Sequence, residues 1–158
     1  MLTQLIGRSG RSGKQGHAVI QTFSPEHPII KLASDQNYDS FYKSEIEFRR
    51  AMLFPPFCRI ALISITAEDD RTVAAISSKF YTDLCSLLKG DFRDVRMVIF
   101  GPYEAQIYRV NKRYRYRIIC KLRSDARTRL LLRTILQKYA ENGSADYTIG
   151  IDIDPSNL

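Results

Sequence analysis

From residue 59 onward the spacing of apolar positions switches between two and three-to-four. Arg59–Thr66 (RIALISIT) is a β-branched, apolar run of strand length. Asp69–Leu88 places Val73, Ile76, Phe80, Leu84 and Leu87 on one stripe and predicts a long helix. Val95–Phe100 is a second strand. Gly101-Pro102 opens a basic connection that extends to Tyr114 and is long for a loop between strands. In Arg115–Leu122, Tyr116, Ile118 and Cys120 alternate with Arg115, Arg117 and Lys121, although Ile119 interrupts the strict alternation. A helix over Asp125–Tyr139 follows, with Leu130, Leu131, Ile135 and Leu136 apolar, and Asp146–Asp152 is the last strand. The order β-α-β-β-α-β predicts an α+β, ferredoxin-like fold for residues 57–158, with one antiparallel sheet and both helices on one of its faces.

The first third is less regular. His17–Phe23 (HAVIQTF) reads as a short strand. Ser24-Pro25-Glu26 reads as a helix start, with Ser24 as the cap and Pro25 at the first position, the helix ending near Ser34. Tyr38–Leu53 fits a helical period moderately. Phe54-Pro55-Pro56-Phe57 then stops it. The double proline predicts extended backbone and a domain boundary, dividing the chain into residues 1–56 and 57–158.

Charge sharpens this picture. The 158 residues hold 24 Lys and Arg against 17 Asp and Glu, a net charge of +7. Such a balance favours a polyanionic partner. Its distribution says more. Arg109, Lys112, Arg113, Arg115, Arg117, Lys121 and Arg123 fall in one stretch with no acidic residue. No run of about 18 apolar residues occurs, and the opening residues carry no apolar h-region, so a cytosolic protein is expected. Cys58, Cys85 and Cys120 are far apart, form no CxxC pair and have no metal-like spacing to His17 or His27. Reduced, buried thiols are expected, with neither a zinc site nor a disulfide framework.

Two segments carry candidate chemistry. The first is Gln4-Leu5-Ile6-Gly7-Arg8-Ser9-Gly10-Arg11, in which two guanidinium groups can address one polyanion. It is not a P-loop: Gly13-Lys14 is followed by Gln15, and Arg8 stands where the first glycine belongs. It reads either as a flexible basic tail or as a phosphate-facing motif. The second segment is the basic stretch. Arg109, Lys112, Arg113, Arg115 and Arg117 are candidate contacts to nucleic-acid phosphates, and the interleaved tyrosines suggest a stacking face. The alternative is a solvated, charged strand. On a strand Arg115 and Arg117 share a face. We assign that face to solvent and Tyr116 to the core. Asp152 and Asp154 read as a strand end before Pro155 in preference to a metal pair, and His27 as a turn residue.

The pattern Q-x-x-G-R-x-G-R at residues 4–11 resembles motif VI of superfamily 2 helicases. The segments Gly16–Phe23, Ser24-Pro25-Glu26-His27-Pro28, Tyr38 to Arg49, Pro55-Pro56-Phe57, Gly101-Pro102, Tyr114–Arg117 and Ile151–Pro155 resemble, in order, those of PriA-type replication-restart helicases, also called primosomal protein N′. The resemblance covers essentially the whole chain. It implies that residues 1–56 are the tail of a RecA-like second lobe, with one strand and two helices. Gln4, Gly7, Arg8 and Arg11 would then face nucleotide, with Arg11 as an arginine finger and Arg8 beside it. It implies an ATP- and Mg-dependent 3′-to-5′ DNA helicase in the bacterial cytoplasm, at the nucleoid. The partners would be branched or single-stranded DNA, single-stranded-DNA-binding protein and other primosome proteins. The chain itself lacks a Walker A loop, a DEAH-type box and the cysteine-rich zinc insertion. It therefore reads as the C-terminal part of such an enzyme, cut just before motif VI, with Met1 an artificial or mispredicted start. Alone it is expected to hold no cofactor and to lack ATPase activity, and residues 1–16 are expected to be disordered or misplaced. Two other readings stay open: a stand-alone ferredoxin-like nucleic-acid-binding module, and a structural domain whose basic strand packs on a partner lobe.

Overall fold

A computed structural model describes Gln4, residues 18–141 and residues 146–156. The chain divides into two compact units, one ending at Met52 and one beginning at Leu53.

In the first unit, residues 18–23 form no strand, contrary to the sequence expectation. The first helix, α1, is Pro28–Ser34 and starts three residues later than Pro25. Pro28 decides this. In a helix begun at Pro25 it would sit in the fourth position, where a missing N–H and a clashing ring break the turn; at N1 it costs nothing. His27 becomes the cap, its Nδ1 accepting from the Ile29 N–H at 3.3 Å. Helix α2 is Tyr38–Ala51, capped by Asn37, whose Oδ1 accepts from the Ser40 N–H at 3.1 Å.

The second unit opens on the double proline, which turns instead of running extended. The Pro55-Pro56 peptide is cis, and the Phe57 N–H donates to the Phe54 carbonyl at 3.0 Å. The elements that follow are β1 (Arg59–Ala67), α3 (Asp70–Lys89), β2 (Met97–Val110), β3 (Arg113–Leu122), α4 (Ala126–Glu141) and β4 (Tyr147–Ile153). The sheet order is β2-β3-β1-β4, and every neighbouring pair is antiparallel. Ala61, Ile63, Ile65 and Ala67 of β1 and Ile118, Cys120 and Leu122 of β3 enter one core with Val73, Phe80 and Leu84 of α3 and Leu131, Ile135 and Tyr139 of α4. Both helices therefore cover one face of the sheet. The Phe80 and Tyr139 rings lie 5.0 Å apart, and Asp83 accepts from the Tyr139 hydroxyl at 2.8 Å and pairs with Lys138 at 2.9 Å. In α4 the buried stripe is Thr128, Leu131, Ile135 and Tyr139, so Leu130, one position off the period, is exposed.

Of the thiols, Cys120 is buried while Cys58 and Cys85 are half-buried, so burial does not extend to all three. Among the described residues no cluster of His, Cys, Asp or Glu could hold a metal, and no helix is long and apolar enough to cross a membrane. Asp154 closes the end of the sheet: its backbone N–H donates to the Ile60 carbonyl, its carboxylate accepts from the Ile60 N–H, and it pairs with Arg59.

Candidate nucleic-acid interface

The basic stretch that reads as a loop in sequence is largely strand. β2 runs through Gly101-Pro102 to Val110 and forms a hairpin with β3. It can do so because two irregularities absorb the extra residues. Between Phe100 and Tyr103, three steps of β2 face two of β3. Between Glu104 and Arg109, five face two. Asn111 and Lys112 make the turn, both at positive φ (51° and 65°), as a two-residue hairpin of primed type requires. Asn accepts this conformation readily. A glycine in this turn is the usual signal, and its absence here is why the sequence reads as a loop.

The hairpin is anchored from the helix side. Tyr108 donates from its hydroxyl to Asp70 in the first turn of α3, and this hydrogen bond is the main cause that pushes the Tyr108 pKa upward. Its ring packs at 5.4 Å from Tyr114 and 5.9 Å from Tyr116. The Arg109 guanidinium lies 5.0 Å from the Tyr114 centroid. Tyr114 and Tyr116 pack against the hydrophobic core, so neither supplies the stacking face suggested by their alternation with arginine.

The opposite face, which neither α3 nor α4 covers, carries the charge. Cross-strand register places Arg117 beside Tyr103 on one flank and Ser64 and Gly150 on the other. Arg115 pairs with Thr66, and Thr66 with Thr148. Ile119 lies between Phe100 and Leu62, and Lys121 between Val98 and Ile60. Phe100 is 45% and Tyr103 38% exposed. The Lys121 ammonium sits 3.9 Å from the Phe54 centroid and 5.7 Å from that of Phe100. The Nε of Arg117 is buried with no hydrogen-bond partner. Burial pushes the Tyr103 pKa up, and the neighbouring Arg117 pulls it partly back.

The five candidate cations therefore separate. Arg109 and Lys112 are exposed along the hairpin. Arg115 and Arg117 share the helix-free face. Arg113 is committed within the domain: its Nε donates to Thr66 Oγ1 and an Nη to the Thr66 carbonyl, both at 3.2 Å; it reaches Thr148 Oγ1 at 3.5 Å and pairs with Glu68 at 3.6 Å. Phe100, Tyr103 and Lys121 escaped the sequence reading as site residues. Only strand register reveals that they flank Arg117 and Ile119. Of the opening motif, Gln4 is exposed, while Gly7, Arg8 and Arg11 lie outside the described residues.

Residues 50–156 match the family model described as the primosomal protein N C-terminal domain. The chain belongs to that family. It is 33% identical over 156 residues to the replication restart protein PriA of Bacillus subtilis (strain 168), covering 98% of this chain and 19% of the relative. Against the PriA of Synechocystis it is 31% identical over 157 residues, 99% of this chain and 18% of that one. The Haemophilus influenzae PriA is 29% identical over 162 residues. The chain thus spans about a fifth of the length of these relatives. The family domain contains the whole sheet, both helices and every cation of the basic stretch.

Proposed function

We propose that this chain is the C-terminal part of an ATP-dependent replication-restart helicase, and that its second unit grips DNA through the basic hairpin. The collinear match to PriA over 98% of the chain carries this reading. The strand order β2-β3-β1-β4 within a β-α-β-β-α-β chain supports a ferredoxin-like description of the domain. Residues 1–56 are read as the end of a RecA-like lobe and 57–158 as the DNA-binding domain. The cytoplasm, the primosome, single-stranded-DNA-binding protein and forked DNA belong to the same proposal.

In that enzyme Gln4, Gly7, Arg8 and Arg11 face a nucleotide held by a first lobe. An always-charged planar fork at Arg11 suits the charge that spreads over phosphoryl oxygens in the transition state. ATP and Mg bind between lobes, and the family's zinc site belongs outside this chain.

The test has two arms. The chain should bind forked and single-stranded DNA with an affinity that falls steeply between two salt concentrations. A chimera carrying this chain in place of the matching fifth of the Bacillus relative should hydrolyse ATP, and Arg11→Ala should lower that turnover by about a thousandfold. Salt-independent absence of DNA binding, or a chimera indifferent to Arg11→Ala, sinks the corresponding half.

A further inference from the structure

The helix-free face of the sheet has two parallel rows of different chemistry. On β2, Phe100 and Tyr103 stand with their rings partly open to solvent. On β3, Arg117 neighbours Tyr103, and Arg115 lies two positions further along. Adjacent strands are about 4.8 Å apart, so Tyr103 and Arg117 lie at the reach of one nucleotide's base and phosphate, while Phe100, whose partner on β3 is Ile119, extends the aromatic row away from Arg115. Beyond the cations, the same face carries only Ser64, Thr66, Thr148 and Gly150 in these two cross-strand rows, and a Cβ added to Gly150 meets nothing within 4 Å. Arg113 reaches across Thr66 and Thr148, so the low part of this face is the row through Ser64 and Gly150 beside Arg117.

Spacing decides what lies on it. Phe100 and Tyr103 face β3 residues two apart, so their rings are roughly 7 Å apart along the strand. That is about twice the 3.4 Å rise per residue of a strand within a duplex. Bases seated on both rings are therefore unstacked from one another and belong to an extended strand. A duplex cannot offer them, because its base faces are hidden in its own stack. Charge does not separate an acidic strand of protein from DNA, but the exposed rings favour flat, π-faced partners over side chains. The Nε of Arg117, beside this row, is buried without a hydrogen-bond partner.

We propose that this face binds extended single-stranded DNA, with two bases seated on Phe100 and Tyr103 and the phosphates running past Arg117 and Arg115. This rests on the reading of the domain as DNA-binding and adds the face that holds the single strand and its stacking residues.

The experiment uses the full chain and fluorescence anisotropy with three labelled probes of about twelve positions: oligo(dT), an abasic strand of the same length, and a duplex. Oligo(dT) should bind about tenfold more tightly than the abasic strand, which keeps the phosphates and lacks the bases. Phe100→Leu and Tyr103→Leu should each remove about tenfold from oligo(dT) affinity and leave the abasic strand within about twofold, while Tyr103→Phe binds as the parent does. Circular dichroism of each variant checks the fold. The comparison of the first two probes on the unaltered protein needs no variant at all. Equal, salt-sensitive binding of oligo(dT) and abasic strand overturns the stacking proposal and leaves the DNA-binding reading standing. Tighter binding of duplex than of oligo(dT) does the same. Absence of salt-sensitive binding to all three removes both.

Discussion

The Cβ that Gly101 lacks would lie 2.8 Å from the carbonyl oxygen of Arg117. The φ of Gly101 is +106°, a value that side-chain-bearing residues rarely adopt. β2 therefore comes close to the β3 backbone beside Arg117, and only glycine permits it. The atom in the way belongs to backbone, so no rotamer change relieves the contact. Gly101→Ala should lower stability by about 2 kcal/mol or more, read as a drop in urea midpoint. It should also weaken DNA binding, because the displaced strand carries Arg117.

Arg113 and Lys112 are neighbours in sequence with opposite uses. Arg113→Ala removes hydrogen bonds to Thr66 and Thr148 and the pairing with Glu68. Its main effect should be a stability loss of roughly 1–2 kcal/mol in denaturant titration. Lys112→Gln should leave stability unchanged and reduce the slope of log affinity against log salt by about one.

Phe80 is fully buried between the sheet and Tyr139. Phe80→Ala should cost about 3–5 kcal/mol, since the space it leaves is walled by two helices and a sheet that close on it only partly. A midpoint shift in thermal unfolding measures this.

Asp69 and Asp125 cap α3 and α4, accepting from the Thr72 N–H at 2.8 Å and the Thr128 N–H at 2.7 Å. These backbone bonds are the first cause holding both carboxyls below their ordinary range. A depressed folded-state pKa means stability that is present above the unfolded value and lost as pH falls through the folded one. Unfolding midpoints should therefore be level above about pH 5 and decline below about pH 4. The double variant Asp69→Asn/Asp125→Asn should flatten that decline.

Burial pushes the Cys120 thiol up to about 12. The thiolate is the reactive form, so Cys120 should resist alkylation at pH 8 in the native protein and react once urea unfolds it. Mass spectrometry of timed labelling reads this directly.

Local pattern was enough to place β1, α3, β3, α4 and β4, each within about two residues. Their signals are short-range: β-branched runs and a three-to-four period. The misread places have separate causes, and Phe54–Phe57, which turns where extended backbone is expected, is one such place. Residues 18–23 have strand composition and form no strand. Pro28 moves the start of α1. Gly101–Val110 became strand because β3 offers a pairing edge and two irregularities absorb the surplus residues. Pairing is a property of two segments, and composition of one segment does not contain it.

The site divides along the same line. The cluster of cations from Arg109 to Arg123 is a property of the chain, as is the pattern at Gln4 to Arg11. Which cations are spent inside the domain, and which face is open, depended on register. Alternation within β3 separates Arg115 and Arg117 from Tyr114 and Tyr116 whatever the fold. That both helices settle on the tyrosine side, that Arg113 is taken by β1 and β4, and that Phe100 and Tyr103 come to stand beside Arg117 required the sheet to assemble. The physical reason is that a strand's period of two sorts side chains into two faces without saying which is buried. Only the packing of apolar helix stripes against one of them makes that choice.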